Sequence, residues 1–243
     1  MKKAIVTVSF GTTYAQAEQT CIRPVEQALA AAYPDWQVRR AYTARIVLRR
    51  LRERGEKIDN VAEALERLRQ EGFDQVVFAS THVIPGVEYA SLCESAGGLP
   101  VSEALLSNAD DLLWIANLMG RIAAEEGTPV LFMGHGTDHT ADEIYVRLRE
   151  KLPENVYLAC VEGAHRLDTI LPRLDALPDK VITLVPLMLV AGDHAHNDLA
   201  GDEDDSWKSI LESRGFRVKV RMRGLGAEPA VQQRFCEKVG KIL

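Results

Sequence analysis

A chain of 243 residues with 47% hydrophobic content is long enough to bury a substantial core, as one large α/β unit or two small ones. Its 29 basic residues against 35 acidic ones give a net charge of −6 and a pI near 5.6, which argues against general nucleic-acid binding. Cys21, Cys93, Cys160 and Cys236 lie far apart and form no CxxC pair, so they read as reduced thiols and a thiolate metal site is not expected.

The opening MKKAIVTVSFGTTY is too brief for a secretory signal and lacks a small-residue cleavage site, so a cytoplasmic protein is expected. Ala4 to Ser9 is a β-branched run followed by Gly11-Thr12-Thr13 and a helical stretch from Ala15 to Ala32, which is a βα unit. Trp36 to Tyr42 reads as a second strand. Thr43 to Arg54 and Asn60 to Glu71 read as helices, the second capped by Asp59 or Asn60. Gln75 to Ser80 is a third strand and runs into a turn-rich segment holding His82, Pro85, Gly86 and Glu88. Val101 to Leu106 reads as a fourth strand, and Ala109 to Glu126 as a helix capped by Asn108. Gly127-Thr128-Pro129 then breaks the chain, which places the domains at 1–127 and 128–243, with the last helix free to pack on either.

The pattern restarts beyond that break. Val130 to Met133 is a strand leading into GHGTDH, Ala141 to Lys151 a helix, Val156 to Cys160 a strand and Leu167 to Leu177 a helix. The apolar run of Val181 to Asp198 comes next. It is too short to cross a bilayer and contains Pro186, so it reads as a buried strand with a polar end. Phe216 to Met222 alternates like a strand, and Pro229 to Leu243 is a helix with proline in its first turn.

The halves also correspond residue by residue. SFGTTY from Ser9 aligns with GHGTDH from Gly134, so Phe10 stands where His135 stands. VIPGVEY from Val83 aligns with LVAGDHA from Leu189, so Glu88 matches His194. A duplicated domain is expected, with a cleft between the copies as the default ligand site.

His135 follows the first strand of the second half, Glu162 the second and His194 the third. Three parallel strands thus deliver one side chain each to a single edge, where open α/β sheets bind their ligands. Imidazole and carboxylate suit a divalent first-row metal, and three protein ligands leave positions open for a substrate. One histidine after a strand is more often a loop residue; three groups at equivalent strand ends point to a site. His82 and Glu88 either line the opposite cleft wall or satisfy a turn. His196 and Asp198 are candidates for orienting a ligand, His139 and His165 read as surface residues, and Asp202 to Asp205 as a solvated loop. Arg45, Arg49, Arg50, Arg52 and Arg54 crowd one helix, which is either an exposed face or a grip on a polyanionic ligand. Gly11-Thr12-Thr13 precedes a helix and can meet an anion, yet neither GxGxxG nor GxxxxGK[ST] is present.

VSFGTTY, FMGHGTDH, VEG and PLMLVAGDHAHND followed by DDSWK resemble the anaerobic sirohydrochlorin cobaltochelatases of the CbiK type, class II tetrapyrrole chelatases, over nearly the whole chain. The resemblance implies a chelatase-like α/β fold of two similar doubly wound, Rossmann-like lobes, with parallel sheets, helices on both faces and the substrate between them. It implies that His135, Glu162 and His194 are the metal ligands, with no ligand role for His196, where the family often has an aliphatic residue. The implied activity is insertion of Co²⁺ into sirohydrochlorin, or its reduced precursor, with release of two protons in anaerobic cobalamin biosynthesis. His135 would act as ligand and base in sequence; the internal repeat, rather than the resemblance, suggests that Glu88 receives or relays pyrrole protons and is not an essential metal ligand. Phe10, Gly11, Thr12, His82, Arg45, Arg49 and Arg52 are the expected substrate contacts. The expected partners are the tetrapyrrole and the divalent metal, with no nucleic acid, no membrane, no permanently bound cofactor, and a homo-oligomer left open. The residues alone leave room for nickel or iron as the metal, for a non-catalytic metal or tetrapyrrole carrier, and for a hydrolase built on a metal-activated water.

Overall fold

The first strand, β1 (Lys3–Ser9), is buried along six of its seven residues, as a strand covered on both faces must be. It lies between β2 (Gln37–Tyr42) and β3 (Gln75–Ser80), parallel to both, in the order β2-β1-β3. The structure is a computed structural model that describes residues 1–243. After β1 come α1 (Ala15–Ala17), a π-helical turn at Glu18–Ile22 and α2 (Arg23–Ala32). After β2 come α3 (Arg45–Glu53) and α4 (Val61–Gln70), the latter opened by a capping box in which Asn60 and Glu63 satisfy each other's backbone N–H groups. After β3 comes α5 (Val87–Ser95), a helix where the sequence suggested turns.

The second sheet is built the same way. After α6 (Ala109–Glu126) comes β4 (Val130–Gly134), then α7 (Glu143–Arg149), β5 (Val156–Cys160), α8 (Leu171–Asp175), β6 (Val181–Pro186), α9 (Trp207–Ser213) and β7 (Arg217–Val220). All pairings are parallel, in the order β5-β4-β6-β7. The last helix, α10 (Pro229–Gly240), returns to pack on α2 and β3, where the Tyr33 hydroxyl donates to the Cys236 carbonyl at 2.7 Å. Two parallel sheets with helices on both faces are the doubly wound arrangement expected. No helix is long and apolar enough to cross a membrane.

In both sheets the earliest strand is central, the next lies on one side and the third on the other. The register of the repeat holds in backbone geometry too. Gly11 and Gly136 both follow a central strand with φ of +95° and +78°. Both lie hard against the neighbouring strand's end: a Cβ on Gly11 would meet the Tyr42 ring at 2.5 Å, and one on Gly136 the Glu162 carbonyl oxygen at 2.0 Å. Only glycine suits such a conformation at such a distance.

Two expectations are corrected. The strand at Val101 to Leu106 is a single parallel bridge, Phe78↔Val101, at the edge position that β7 fills in the second sheet. Pro100 has no N–H to extend the ladder, and the Ser102 hydroxyl, rather than a backbone carbonyl, takes the Ser80 N–H at 3.0 Å. The compact units, moreover, are Met1–Leu105 with Gly226–Leu243, and Leu106–Leu225, not 1–127 and 128–243. Gly127 ends α6 as a left-handed cap, but α6 packs on β5 and α7 and so belongs to the second unit.

The first unit contains one concentrated ion network. Arg40 on β2 grips Glu26 through Nε at 2.7 Å and Nη2 at 2.6 Å, and reaches Glu18 at 2.6 Å, which also accepts from Arg23. Burial pushes the Glu18 carboxyl up, but hydrogen bonds from Arg23 and Arg40 outweigh it and hold the group below its ordinary value of 4.5. Replacing Arg40 by Met would take away both guanidinium bonds of Glu26 and leave Glu18 with Arg23 alone, and should cost about 3 kcal/mol at neutral pH by denaturant unfolding. Because the folded Glu18 value is depressed, its contribution is present above pH 4.5 and is lost as pH falls through the lower folded value. The variant's stability curve should be flatter than the native one across that acid window.

Candidate metal and substrate site

Three strands of the second sheet end side by side: β5 at Cys160, β4 at Gly134 and β6 at Pro186. The ladder runs on just past β4 and β5, with Val161 N donating to Gly134 O at 3.0 Å and Glu162 N to His135 O at 2.9 Å. On the other side Leu187 N donates to Met133 O at 2.7 Å. The apolar run of Val181 to Asp198 is thus a strand only as far as Pro186; beyond it an irregular segment leads to a π-helical turn at Ala195–Leu199. Ala195 and Leu199 are buried in the core of this unit, so the turn is anchored and His194, at its start, is held over the strand ends.

His135, from the central strand, stands between the other two. Its ring meets that of His194 edge to face, with centroids 4.7 Å apart, and its Nδ1 lies 3.9 Å from Glu162 Oε2. The His135 and Glu162 side chains are 45% and 55% exposed and that of His194 is 36% exposed, so a ligand arriving from solvent can reach all three. The partners assign the tautomers. His135 Nδ1 lies 2.9 Å from the Gly136 carbonyl oxygen, which can only accept, and His194 Nδ1 lies 2.8 Å from Asp198 Oδ2. In the neutral form of either ring these acceptors place the proton on Nδ1, which leaves the Nε2 lone pair free for a ligand. Asp198, one of the two residues considered for orienting a ligand, is thus bonded to the His194 ring. The three candidates are neighbours but not yet a closed ligand set, because no three His, Cys, Asp or Glu side chains converge at metal-holding distance.

Other expected residues separate. His196 is exposed on the same turn. His165 is half-buried rather than superficial, its Nδ1 2.7 Å from Arg149 Nη1. His139 is exposed and caps the short helix at Thr140–Asp142 by accepting from Ala141 N. Asp202 to Asp205 are exposed, Asp202 pairing with Lys208 at 2.9 Å. The adjoining DSWK segment is structural, with Ser206 capping α9 and Trp207 buried. All four cysteines are free, and burial pushes the Cys160 thiol up to about 12, far from a ligating thiolate. Asp142 and Arg149, which brace the loop carrying Glu162, carried no sequence signal.

In the first unit, Phe10 is 48% exposed at the end of β1. Thr12 is buried, with its hydroxyl accepting from Tyr14 N at 3.1 Å. Arg45 opens α3 exposed and unpaired, Arg49 stands 3.9 Å from Glu53, and Arg52 is bound to both Glu63 oxygens at 2.7 and 2.6 Å. His82 bonds Ser80 Oγ through Nδ1 at 3.0 Å, and its Nε2 is buried without a partner. Burial pulls its pKa down to about 4, so it is a neutral imidazole at neutral pH. Glu88 is half-buried in the first turn of α5. Ala90 N donates to Gly86 O, as His196 N donates to Gly192 O, each at 3.0 Å. Glu88 and His194 are therefore each the second residue after the glycine that opens a helical turn beyond the third strand of its sheet.

Two imidazoles and a carboxylate at the open end of a doubly wound sheet are donor types that a divalent first-row ion accepts, and the class to which this chain belongs is that of the metal chelatases. The chain belongs to the cobalt chelatase (CbiK) family, which it matches over residues 3–243. It is 34% identical to the sirohydrochlorin cobaltochelatase of Salmonella typhimurium, over 97% of this chain and 94% of that one. It is also 34% identical to the sirohydrochlorin cobaltochelatase CbiKC of Nitratidesulfovibrio vulgaris, over 92% and 84%. Among solved structures, a glucose-galactose binding protein from Geobacillus stearothermophilus gives a TM-score of 0.35 at 15% identity, covering 76% of this chain and 69% of that one, a likeness that carries no argument.

If the Nε2 atoms of His135 and His194 hold the ion, alanine at either position should abolish most Co²⁺ binding in a direct titration of the purified protein, with the thermal melt retained. Asp198→Asn, which weakens the orienting bond without removing the imidazole, should lower Co²⁺ affinity by about 10–100-fold.

Proposed function

We propose that this protein is a sirohydrochlorin cobaltochelatase, which exchanges two pyrrole N–H protons of sirohydrochlorin, or its reduced precursor, for Co²⁺. The observation that carries the reading is His135 in ring contact with His194 and beside Glu162 at three adjacent strand ends, in a chain 34% identical to two proteins of that name. Charge and atoms balance without a covalent intermediate: the ion enters, two protons leave, and the macrocycle closes around the metal. A mixed nitrogen and oxygen set suits this step, since it binds a first-row ion but surrenders it to four macrocyclic nitrogens more readily than a closed thiolate site would. Co²⁺ is then a substrate, and no resident cofactor is required. Four free cysteines fit a cytoplasmic setting.

Glu88 is the proposed proton acceptor. A carboxylate can take a pyrrole proton as the ion enters, and Glu88 occupies in the first unit the position that His194 occupies in the second. Phe10 offers an exposed aromatic face to a flat ring, and Arg45 and Arg49 are the proposed contacts for the substrate's carboxylates. Arg52 is engaged with Glu63 and is left out of that set.

The test is an optical assay of sirohydrochlorin with purified protein and Co²⁺. Catalytic turnover is expected; one equivalent bound without turnover would make the protein a carrier, and hydrolysis of a model ester in place of insertion would make it a hydrolase. Glu88→Gln keeps the shape and removes the base, so insertion should slow while Co²⁺ affinity of the substrate-free protein stays unchanged. A large loss of that affinity would make Glu88 a ligand instead. Arg45→Ala with Arg49→Ala should raise the apparent KM for sirohydrochlorin and weaken its dependence on salt, whereas an unchanged KM at low and high salt would return α3 to an ordinary exposed face.

A further inference from the structure

Between His135 and α7 the chain forms a tight loop, and between Cys160 and α8 it forms another. One side chain touches both. Asp142, at the end of the short helix Thr140–Asp142, accepts from Thr137 N through Oδ1 at 3.2 Å and from Ala164 N through Oδ2 at 3.4 Å. Thr137 lies two residues beyond His135, and Ala164 two beyond Glu162. The carboxylate spans a sequence separation of 22 residues to tie the loops that carry two of the three proposed ligands.

The approach is close as well as polar. Gly163 has φ +78°, and a Cβ built on it would lie 2.8 Å from Asp142 Oδ1 and 3.0 Å from Oδ2. The glycine thus leaves the space that the carboxylate occupies. On the His135 side, Gly136 lies against the Glu162 carbonyl, and Glu162 N is bonded to His135 O. The two loops therefore touch backbone to backbone beside the candidate donors and are held by a carboxylate a few residues further on. Asp142 is half-buried, and both of its oxygens already accept backbone N–H groups, so it is a poor candidate for a ligand. Arg149, one to two turns along α7, bonds His165 at 2.7 Å and braces the second loop alone.

We infer that Asp142 is a positioning residue for metal binding: it clamps the His135 loop to the Glu162 loop, so that the imidazole and carboxylate remain a pair while their side chains stay open to solvent. A carboxylate suits this because it is acceptor-only with two oxygens and can serve two N–H donors at once, which an amide or hydroxyl of similar size cannot do as well. The inference rests on the proposed metal role of His135 and Glu162.

The experiment compares Asp142→Ala, Asp142→Asn and His135→Ala in the full-length protein. It measures Co²⁺ affinity without substrate, KM for sirohydrochlorin, and the thermal melt. Asp142→Ala should weaken Co²⁺ binding about tenfold or more, the range for losing a group that supports a ligand, with KM for sirohydrochlorin within about twofold of native. Asp142→Asn, whose amide oxygen still accepts one of the two N–H groups, should fall between native and alanine. Should the alanine variant fail to fold, the asparagine variant decides. Loss of Co²⁺ affinity in His135→Ala but not in the Asp142 variants would overturn the clamp and leave the metal site standing. A His135→Ala protein that binds Co²⁺ normally would overturn both. A lowered melt in the Asp142 variants with Co²⁺ affinity unchanged would reduce Asp142 to a purely structural residue and also reject the inference.

Discussion

Parallel strands end at the same edge, and that constraint governs what this protein can assemble. With β4 paired to β5 on one side and β6 on the other, the three segments leaving their carboxyl ends are neighbours however far apart they lie in the chain. His135, Glu162 and His194 inherit their proximity from this ladder. The central position of β4 is why His135 is the member that approaches both others.

Backbone contacts convert proximity into orientation. Gly136 brings the first loop against the Glu162 carbonyl, Leu187 N ties the exit of β6 to β4, and Ala195 and Leu199 seat the turn below His194 in the core. Asp198 then sets the His194 ring, and the Gly136 carbonyl that of His135. The side chains themselves remain open to solvent, so the proposed donors can be reached without any opening of the core.

The two units apply one topology to different chemistry. At the strand ends of the second are imidazoles and carboxylates; at those of the first are Phe10, Glu88 and the start of α3 with Arg45 and the exposed Ile46. A duplicated scaffold keeps its glycines at the central strand's end because the backbone needs them there, while the residues alongside are free to diverge. Where the second sheet has β7, the first has only the bridge at Val101.

Much of the fold was readable from short-range pattern. Gln75–Ser80 and Val156–Cys160 are strands with the boundaries expected, and Asn108 and Gly127 bracket α6 as helix start and stop residues should. α5 escaped because Gly86, Val87 and Glu88 begin it without a clear apolar period, and the domain break was misplaced because a helix cap looks the same whether or not a domain ends there. For the site, the sequence by itself determined which residue types stand at which strand ends, since that information is carried by residue order and the period of the strands. Only the tertiary structure decided that His135 meets His194 in ring contact, that Asp198 orients the His194 ring, that Arg52 is taken up by Glu63, and that Asp142 reaches Ala164. Most of these depend on contacts between segments well separated in sequence, and all of them depend on side-chain directions set by packing, which no local pattern records.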